Sequence, residues 1–281
     1  LHALQLRGAQ LRYVLCDGIY SDCDVFRAAA NPRHPMSCTE CQAEVTSLMF
    51  RCGVQQFEWL SKYMPLDSSR IARKWVNDLD SRDLPHATYN EWSIGEWVKS
   101  SVHTHLRIPD LNLNDPTIVK VYRSYLYSGL MACFGLSPLM DEFIPDVLFQ
   151  FNGRMSSTRI ALELAKQRGV HVVCHERGYR RDSIRLTVND QTGALQPLKL
   201  LHDNWTNIPL VKDELEKITQ YMIGKQYGKD IGWRAFSPPP QKGDEDKLGF
   251  GKDRVLWALF VSSEDEGAAN KALQQGPFVN Q

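Results

Sequence analysis

The segment from Asp146 to Gly178, DVLFQFNGRMSSTRIALELAKQRGVHVVCHERG, constrains the fold more than any other part of the chain. Residues Val147–Phe151 form a largely apolar run, residues 156–168 have the pattern of a helix closed by a glycine, and residues 170–174 form a second apolar run. A strand, a helix and a strand within about 30 residues make a βαβ unit. Because such crossovers join parallel strands, the segment predicts an α/β fold with a parallel sheet covered on both faces.

Each predicted strand is expected to be buried, yet each is followed by polar residues, which resist burial. The first apolar run is followed by Asn152-Gly153-Arg154, the second by His175-Glu176-Arg177-Gly178, and an earlier strand at residues 10–15 by Cys16-Asp17-Gly18. Ligands of open parallel sheets bind at the carboxyl ends of the strands, because loops and helix N-termini gather there. The sequence therefore predicts that these three strand ends lie on one edge and form a binding site.

The residues of this edge suit a polar substrate. Gly153 lets the backbone approach a ligand closely, and Ser156 begins a helix whose free N–H groups favour an anion. Arg154 and Arg177 can pair with a carboxylate or a phosphate. Together with Asn152, which can orient the ligand, they are the predicted substrate-binding residues of this edge.

Glu176 is the first candidate for a general base, with His175 beside it and Asp17 as the second candidate. Neighbours in a strand point to opposite faces, so only one of Glu176 and His175 is expected to face the ligand. A structural interpretation stays open beside the functional one. In it, Glu176 and Arg154 form an ion pair between adjacent strand ends, and Asn152 satisfies the backbone of a turn.

The rest of the chain surrounds this unit with helices and a linker. The middle is mostly helical, with helices expected at residues 38–51, within 57–80, from about residue 91 and at 116–136, and its aromatic residues are expected in the core. After the βαβ unit, residues 183–198 have strand-like alternation on either side of an expected turn at Asp190–Gly193, and residues 209–228 have the pattern of an amphipathic helix. Residues 238–252 are rich in proline and glycine, which predicts a linker before the strand-like RVLWALFVSSEDE.

Composition excludes several classes of partner. The 281 residues carry no formal net charge, so bulk electrostatics favour neither a nucleic acid nor an anionic membrane. No run of about 18 apolar residues is present, so no membrane-spanning helix is expected. The chain begins with LHALQLRGA, without Met and without a secretory signal, and we expect a preceding segment to be missing.

The seven cysteines are odd in number and several lie in apolar segments, which favours a reducing, cytoplasmic compartment. Cys16, Cys23, Cys38 and Cys41 are candidate ligands of a structural zinc ion, since two chelating pairs suit a tetrahedral thiolate site. Cys38 and Cys41 form a C-x-x-C motif, whereas the first pair is spaced too widely for a regular zinc knuckle. A redox pair, an iron–sulfur site and free thiols are the alternatives.

These segments resemble a known family. The βαβ unit is similar to motifs of bacterial capsular-polysaccharide-type glycosyltransferases of the GT-B architecture. The similar residues are FNGR before the helix, HERG after it, and the following GYRRDSIRLT. Three further segments are similar to the same family: LRGAQLRYVLCDG, the later CTEC, and RVLWALFVSSEDE after a proline-rich linker. The motifs are short, and although they are spread over much of the chain, the helical middle carries little of the resemblance.

The resemblance implies two Rossmann-like domains that face each other across a cleft. Residues 1–237 would form the acceptor-side domain, a parallel sheet with helices on both faces and a largely helical middle insertion, lacking its first strand. Residues 253–281 would begin the donor domain, with Ser262, Ser263 and Glu264 on the donor side. Most of that domain would then be absent, so this chain alone is expected to be inactive.

The implied function is transfer of a sugar from a nucleotide-sugar donor to a glycan, a lipid-linked or another hydroxyl acceptor in surface polysaccharide synthesis. This implied function is compatible with peripheral association of the protein with a membrane. Two other functions stay open: a nucleotide-sugar epimerase-like enzyme, and a non-enzymatic, metal-stapled α/β binding module.

Overall fold

The computed structural model describes residues 2–24, 37–178 and 183–226. Its helices and strands are, in chain order, α1 (His2–Gln5), β1 (Val14–Leu15), α2 (Cys38–Arg51), β2 (Glu58–Trp59), α3 (Ser68–Asp78), α4 (Ile94–Leu106), α5 (Pro116–Phe143), β3 (Val147–Phe151), α6 (Ser156–Gln167), β4 (His171–Arg177), β5 (Ile184–Val188), α7 (Leu195–Trp205) and α8 (Lys212–Gln226). Two 3₁₀ turns, Leu60–Tyr63 and Ser81–His86, precede and follow α3. The described part of the chain is thus α/β, and none of its helices is both long and apolar enough to cross a bilayer. The predicted linker at 238–252 and the segment 253–281 lie outside it.

The predicted βαβ unit is confirmed. β3 and β4 pair in parallel, with Val147 opposite His171 and Phe151 opposite His175, and α6 connects them. Gly169 follows α6 with a φ of +70°. Because glycine adopts this left-handed conformation without a Cβ penalty, the chain can turn from the helix into β4 at this point.

β5 departs from the predicted parallel sheet. It pairs antiparallel with β4, with Val188 opposite Val173 and Ile184 opposite Arg177. Parallel pairing needs a crossover of about a dozen residues or more, and residues 178–183 are too few for one. The sheet is therefore mixed, with the strand order β3-β4-β5.

The first predicted strand does not join this sheet. β1 pairs in parallel with β2 in a separate two-stranded sheet, where Val14 lies opposite Glu58. Arg12 lies beside this pairing, with its guanidinium 3.5 Å from the Glu58 carboxylate and 2.9 Å from that of Glu142 at the end of α5. The prediction that residues 10–15 form a strand of the same sheet as β3 is wrong, because the strand is limited to Val14–Leu15 and pairs with β2 instead.

The helical middle packs directly onto the βαβ unit. Buried side chains of α4, α5 and α6 form one hydrophobic core together with β4. Where α5 crosses α4, an added Cβ on Gly129 would lie 2.7 Å from Ile94 Cγ2, so the two helices approach closely. Tyr122 is fully buried, and its hydroxyl donates a hydrogen bond to the Gly95 carbonyl at 3.0 Å. The prediction that the aromatic residues of this region belong to the core is confirmed at Tyr122.

The described residues cover the three-stranded sheet on one face only. On the inner face, Val172, Cys174 and Thr187 are buried on the side of α6. On the outer face, several large apolar side chains are between 43% and 61% exposed: Val147, Phe149, Phe151, Ile184, Leu186 and Val188. The helices predicted on both faces are thus present on one face in this part of the chain.

Candidate functional site

The carboxyl ends of β3 and β4 lie side by side and bring two of the predicted polar groups together. The backbone N–H of Asn152 donates to the His175 carbonyl at 2.9 Å, and its Nδ2 donates to Glu176 Oε2 at 2.8 Å. Glu176 Oε1 accepts a hydrogen bond from the backbone N–H of Arg177 at 2.9 Å. Both oxygens of the Glu176 carboxylate are therefore oriented by neighbours at this edge.

The turn after β3 requires a glycine for packing. Asn152 and Gly153 have φ angles of +57° and +77°, and a Cβ on Gly153 would lie 2.7 Å from Cys174 Sγ. The Asn152 carbonyl accepts a hydrogen bond from the backbone N–H of Thr192 at 2.8 Å, which ties the segment after β5 to this turn. The close approach expected at Gly153 is thus made by a side chain of the sheet.

Arg154 connects the strand end to α4. Its backbone N–H donates to Asn152 Oδ1 at 3.0 Å, while its Nη1 donates to Ser100 Oγ at 3.0 Å and to Thr104 Oγ1 at 3.2 Å. The charge of the guanidinium also acts on the carboxyl of Asp24, whose pKa it lowers. Arg154 therefore places a positive charge between α4 and the end of β3.

The start of α6 is occupied by a carboxylate that the sequence pattern did not identify. Ser156 Oγ donates to Asp24 Oδ2 at 2.9 Å, and the backbone N–H of Ser156 donates to Ser101 Oγ at 2.7 Å. Ser101 is also hydrogen-bonded to Asp24. A negative group is favourable at a helix N-terminus, so the position predicted to receive an anionic ligand holds a carboxylate of the protein itself.

Asp24 is partly buried, and its environment affects its protonation. Burial raises the pKa of its carboxyl, while the hydrogen bonds from Ser101 and Ser156 and the charge of Arg154 act in the opposite direction. A carboxyl whose pKa is raised exchanges its proton closer to neutral pH than an ordinary aspartate does. This property suits a group that accepts a proton during a reaction.

Asp17, the second predicted base, lies beside β2. Its Oδ1 accepts a hydrogen bond from the backbone N–H of Ser61 at 3.3 Å, as follows from the pairing of β1 with β2. Asp24, further along the same loop, reaches the β3 edge in its place. Ser100, Ser101 and Thr104 share one side of α4, which is a sequence signal for a polar partner, but they do not indicate which aspartate it is.

His175 and Glu176 point to opposite faces of the sheet, as the alternation of strand residues predicted. The His175 ring stacks on Phe149 with centroids 4.9 Å apart on the outer face, and burial lowers its pKa. Arg177 shares that face and is exposed at the end of β4. The side chain of Glu176 bonds to the turn that follows β3. The prediction that His175, Glu176 and Arg177 follow the strand is wrong, because all three lie within β4.

The four cysteines predicted to bind a metal lie in the N-terminal loop and α2. Cys16 Sγ accepts a hydrogen bond from the backbone N–H of Gly18 at 3.3 Å, and a Cβ on Gly18 would lie 3.8 Å from Cys38 Sγ. Cys41 follows Cys38 by one helical turn, and Cys23 lies at the end of a described range. In the described ranges, no three His, Cys, Asp or Glu side chains are placed so that they could hold a metal ion together. The zinc site stays a prediction, and no step below depends on it.

The edge gathers groups that suit a ligand rich in hydroxyls. Two carboxylates contact the turn formed by residues 152–156, since Glu176 bonds to Asn152 and Asp24 bonds to Ser156. The guanidinium of Arg154, from the same turn, donates hydrogen bonds to two hydroxyls of α4. Carboxylates accept hydrogen bonds from hydroxyls, and the guanidinium donates them. The arrangement can bind a polyol and can remove a proton from it.

The predicted donor-side residues Ser262, Ser263 and Glu264 lie outside the described residues. A scan against protein-family models, a search of the curated proteins and a search of the solved structures each returned no match for this chain.

Proposed function

We propose that this chain is the acceptor-side half of a glycosyltransferase of GT-B architecture, in which residues 1–237 form a Rossmann-like acceptor domain. The observation that supports the proposal is the junction of β3 and β4, where Asn152, Arg154 and Glu176 meet Asp24 around one turn. The carboxyl ends of parallel strands are the usual substrate site of α/β proteins.

In the proposed reaction, a hydroxyl of the acceptor attacks the anomeric carbon of a nucleotide-sugar. A bond forms between the hydroxyl oxygen and that carbon, and the bond from the carbon to the nucleotide phosphate breaks, so the nucleotide leaves with the electron pair. The hydroxyl proton passes to a carboxylate of the acceptor domain. Such general-base assistance accelerates a reaction by about a hundred- to ten-thousand-fold.

Each group of the edge has a role in the proposed reaction. Glu176 is the first candidate for the base, because Asn152 and Arg177 orient its carboxylate. Asp24 replaces Asp17 as the second candidate, because it lies at the edge and burial raises its pKa. Arg154 would orient the acceptor or the departing diphosphate.

The donor side belongs to the same proposal. Residues 253–281 would begin the domain that binds the nucleotide-sugar, with Ser262, Ser263 and Glu264 facing the cleft. The acceptor would be a glycan or a lipid-linked sugar of a surface polysaccharide. On this division, residues 1–237 supply the binding of the acceptor.

Sugar transfer by the full-length enzyme tests the proposal. We expect Glu176→Gln or Asp24→Asn to lower kcat by about a hundred- to ten-thousand-fold, and the variant that does so identifies the base. Asp17→Asn is the matched control, because Asp17 lies beside β2, and it should turn over like the wild type. Near-wild-type turnover of both edge variants would remove the two carboxylates from this role, and a wild-type enzyme that transfers no sugar would contradict the proposal.

A further inference from the structure

The outer face of the β3-β4-β5 sheet is a continuous apolar surface. In register, Phe149, Val173 and Val188 form one row across the three strands, and Phe151, His175 and Leu186 form the next. Phe149 and Phe151 both contact the His175 ring, with centroids 4.9 Å and 5.7 Å from it. Together these rows make the outer sheet face largely apolar and aromatic.

This outer sheet face is exposed, whereas the inner face is not. Phe149 and Phe151 are 43% and 48% exposed, and Leu186 and Val188 are 55% and 61% exposed. Parallel strands are ordinarily covered on both faces, and soluble monomers rarely expose a large contiguous apolar patch. The outer sheet face therefore has the properties of a surface that another element covers.

Helix α8 carries an apolar surface of its own. Leu215, Ile218 and Met222 recur at spacings of three and four residues, and Val211 precedes them on the same side of the helix. These four side chains are between 45% and 62% exposed. All residues from 199 to 220 are exposed, so the apolar side of α8 is not part of the hydrophobic core.

The two surfaces match in size. From Val211 to Met222 the stripe is about 16 Å long, at about 1.5 Å per residue, and a helix with its side chains is about 10–12 Å across. A five-residue strand such as β3 is about 17 Å long, and three strands are about 10 Å wide from first to last. One helix therefore has the dimensions needed to cover the outer sheet face.

We propose that two copies of this chain form a reciprocal dimer in which α8 of each copy lies on the outer sheet face of the other. In the described residues of one copy both surfaces are exposed to solvent, and the apolar stripe of α8 matches the outer sheet face in length and width, so we assign a second copy as the occupant. A reciprocal exchange has two-fold symmetry and covers both sheet faces and both helices, so it closes without leaving a surface for further growth. This dimer is independent of the function proposed above.

Sedimentation equilibrium of the 281-residue chain tests the dimer. The wild type should have twice the mass of the 32.1 kDa chain at micromolar concentration. Leu186→Glu on the sheet and Ile218→Glu on α8 should each weaken dimerisation at least tenfold, because each buries a charge in an apolar contact. Leu66→Glu is the matched control: Leu66 is fully exposed outside both surfaces, and its variant should dimerise like the wild type.

Mixing the two interface variants tests the reciprocal geometry. A mixed dimer of Leu186→Glu and Ile218→Glu keeps one contact between an unaltered helix and an unaltered sheet, so the mixture should dimerise more tightly than either variant alone. Circular dichroism checks that both variants stay folded. A monomeric wild type would overturn the proposal in favour of cover from within the same chain. A dimer that Ile218→Glu does not weaken would overturn it in favour of packing between sheet faces.

Discussion

The carboxyl group of Asp24 lies between α4 and the first turn of α6, where the hydroxyl of Ser156 donates to it and Ser101 is hydrogen-bonded to it. Burial disfavours its charged form and raises its pKa above the ordinary value of 3.8. The folded protein therefore keeps a proton on Asp24 at pH values where the unfolded chain has already lost it.

We expect Asp24→Asn to change how stability depends on pH. The stability contributed by protonated Asp24 is fully present below pH 3.8 and is lost as the pH rises through the raised pKa of the folded state. Asparagine has no proton to lose in this pH range. The free energy of unfolding of the variant relative to the wild type should therefore rise with pH from about 3.8 upward and then level off. Urea denaturation at a series of pH values measures this, and a constant difference would show that Asp24 has the same pKa folded and unfolded.

Gly153 is a residue whose identity is set by packing and by backbone conformation together. Alanine is unfavourable here for two reasons, since φ is +77° and an added Cβ would lie 2.7 Å from Cys174 Sγ. We expect Gly153→Ala to lower the free energy of unfolding by roughly 2–4 kcal/mol, combining a left-handed backbone with an overpacked contact. Chemical denaturation provides the measurement.

Gly169→Ala separates these two causes. Gly169 has a φ of +70° but no atom within 4 Å of the added Cβ, so its variant should lose only the backbone contribution of about 1–2 kcal/mol. In addition, Gly153→Ala should cost less when Cys174→Ala removes the sulfur. Equal losses for the two single variants would show that the contact with Cys174 contributes nothing.

At the scale of elements, local sequence patterns predicted the helices and strands whose formation depends on residues close together in the chain. The bounds of α2, β3 and α6 follow from apolar runs, helix periodicity and terminal glycines, whereas β4 continues to Arg177, three residues past the apolar run that predicted it. The partner of β1 could not be predicted in this way, because β1 and β2, like Arg12 and its partners Glu58 and Glu142, are distant from each other in the chain. The same limit applies to Asp24, whose bond to Ser156 joins two separate parts of the sequence.

The crossing of α4, α5 and α6 depends on the absence of a side chain at Gly129. An added Cβ would lie 2.7 Å from Ile94 Cγ2 and 2.9 Å from Val98 Cγ1. We expect Gly129→Ala to lower the free energy of unfolding by about 1–3 kcal/mol, because the helices must move apart. Lys120→Ala, at an exposed position of the same helix, is the control and should change stability by less than about 0.5 kcal/mol. Equal stability of the two variants in urea denaturation would contradict the close crossing.

At the scale of the whole molecule, the helical middle helps to build the site. α4 shares the hydrophobic core with α6 and β4, and it also supplies Ser100, Ser101 and Thr104 to the edge where β3 ends. The sequence motifs predicted the strand ends but assigned no functional group to this helix. The polar edge therefore forms only where the packed core brings α4 next to the end of β3, and these elements are far apart in the chain.

Acceptor binding by the 281-residue chain tests the central claim, that the turn at residues 152–156 and its two carboxylates hold a hydroxyl-rich substrate. A glycan array identifies a ligand, and calorimetric titration then compares the wild type with Asp24→Asn, Glu176→Gln and Asp17→Asn. We predict that each of the first two variants binds the glycan at least about tenfold more weakly, since a hydrogen bond to a charged group contributes about 1.5–3 kcal/mol. Asp17→Asn should bind like the wild type. Equal binding by all four proteins, or a wild-type chain that binds no glycan, would contradict the account.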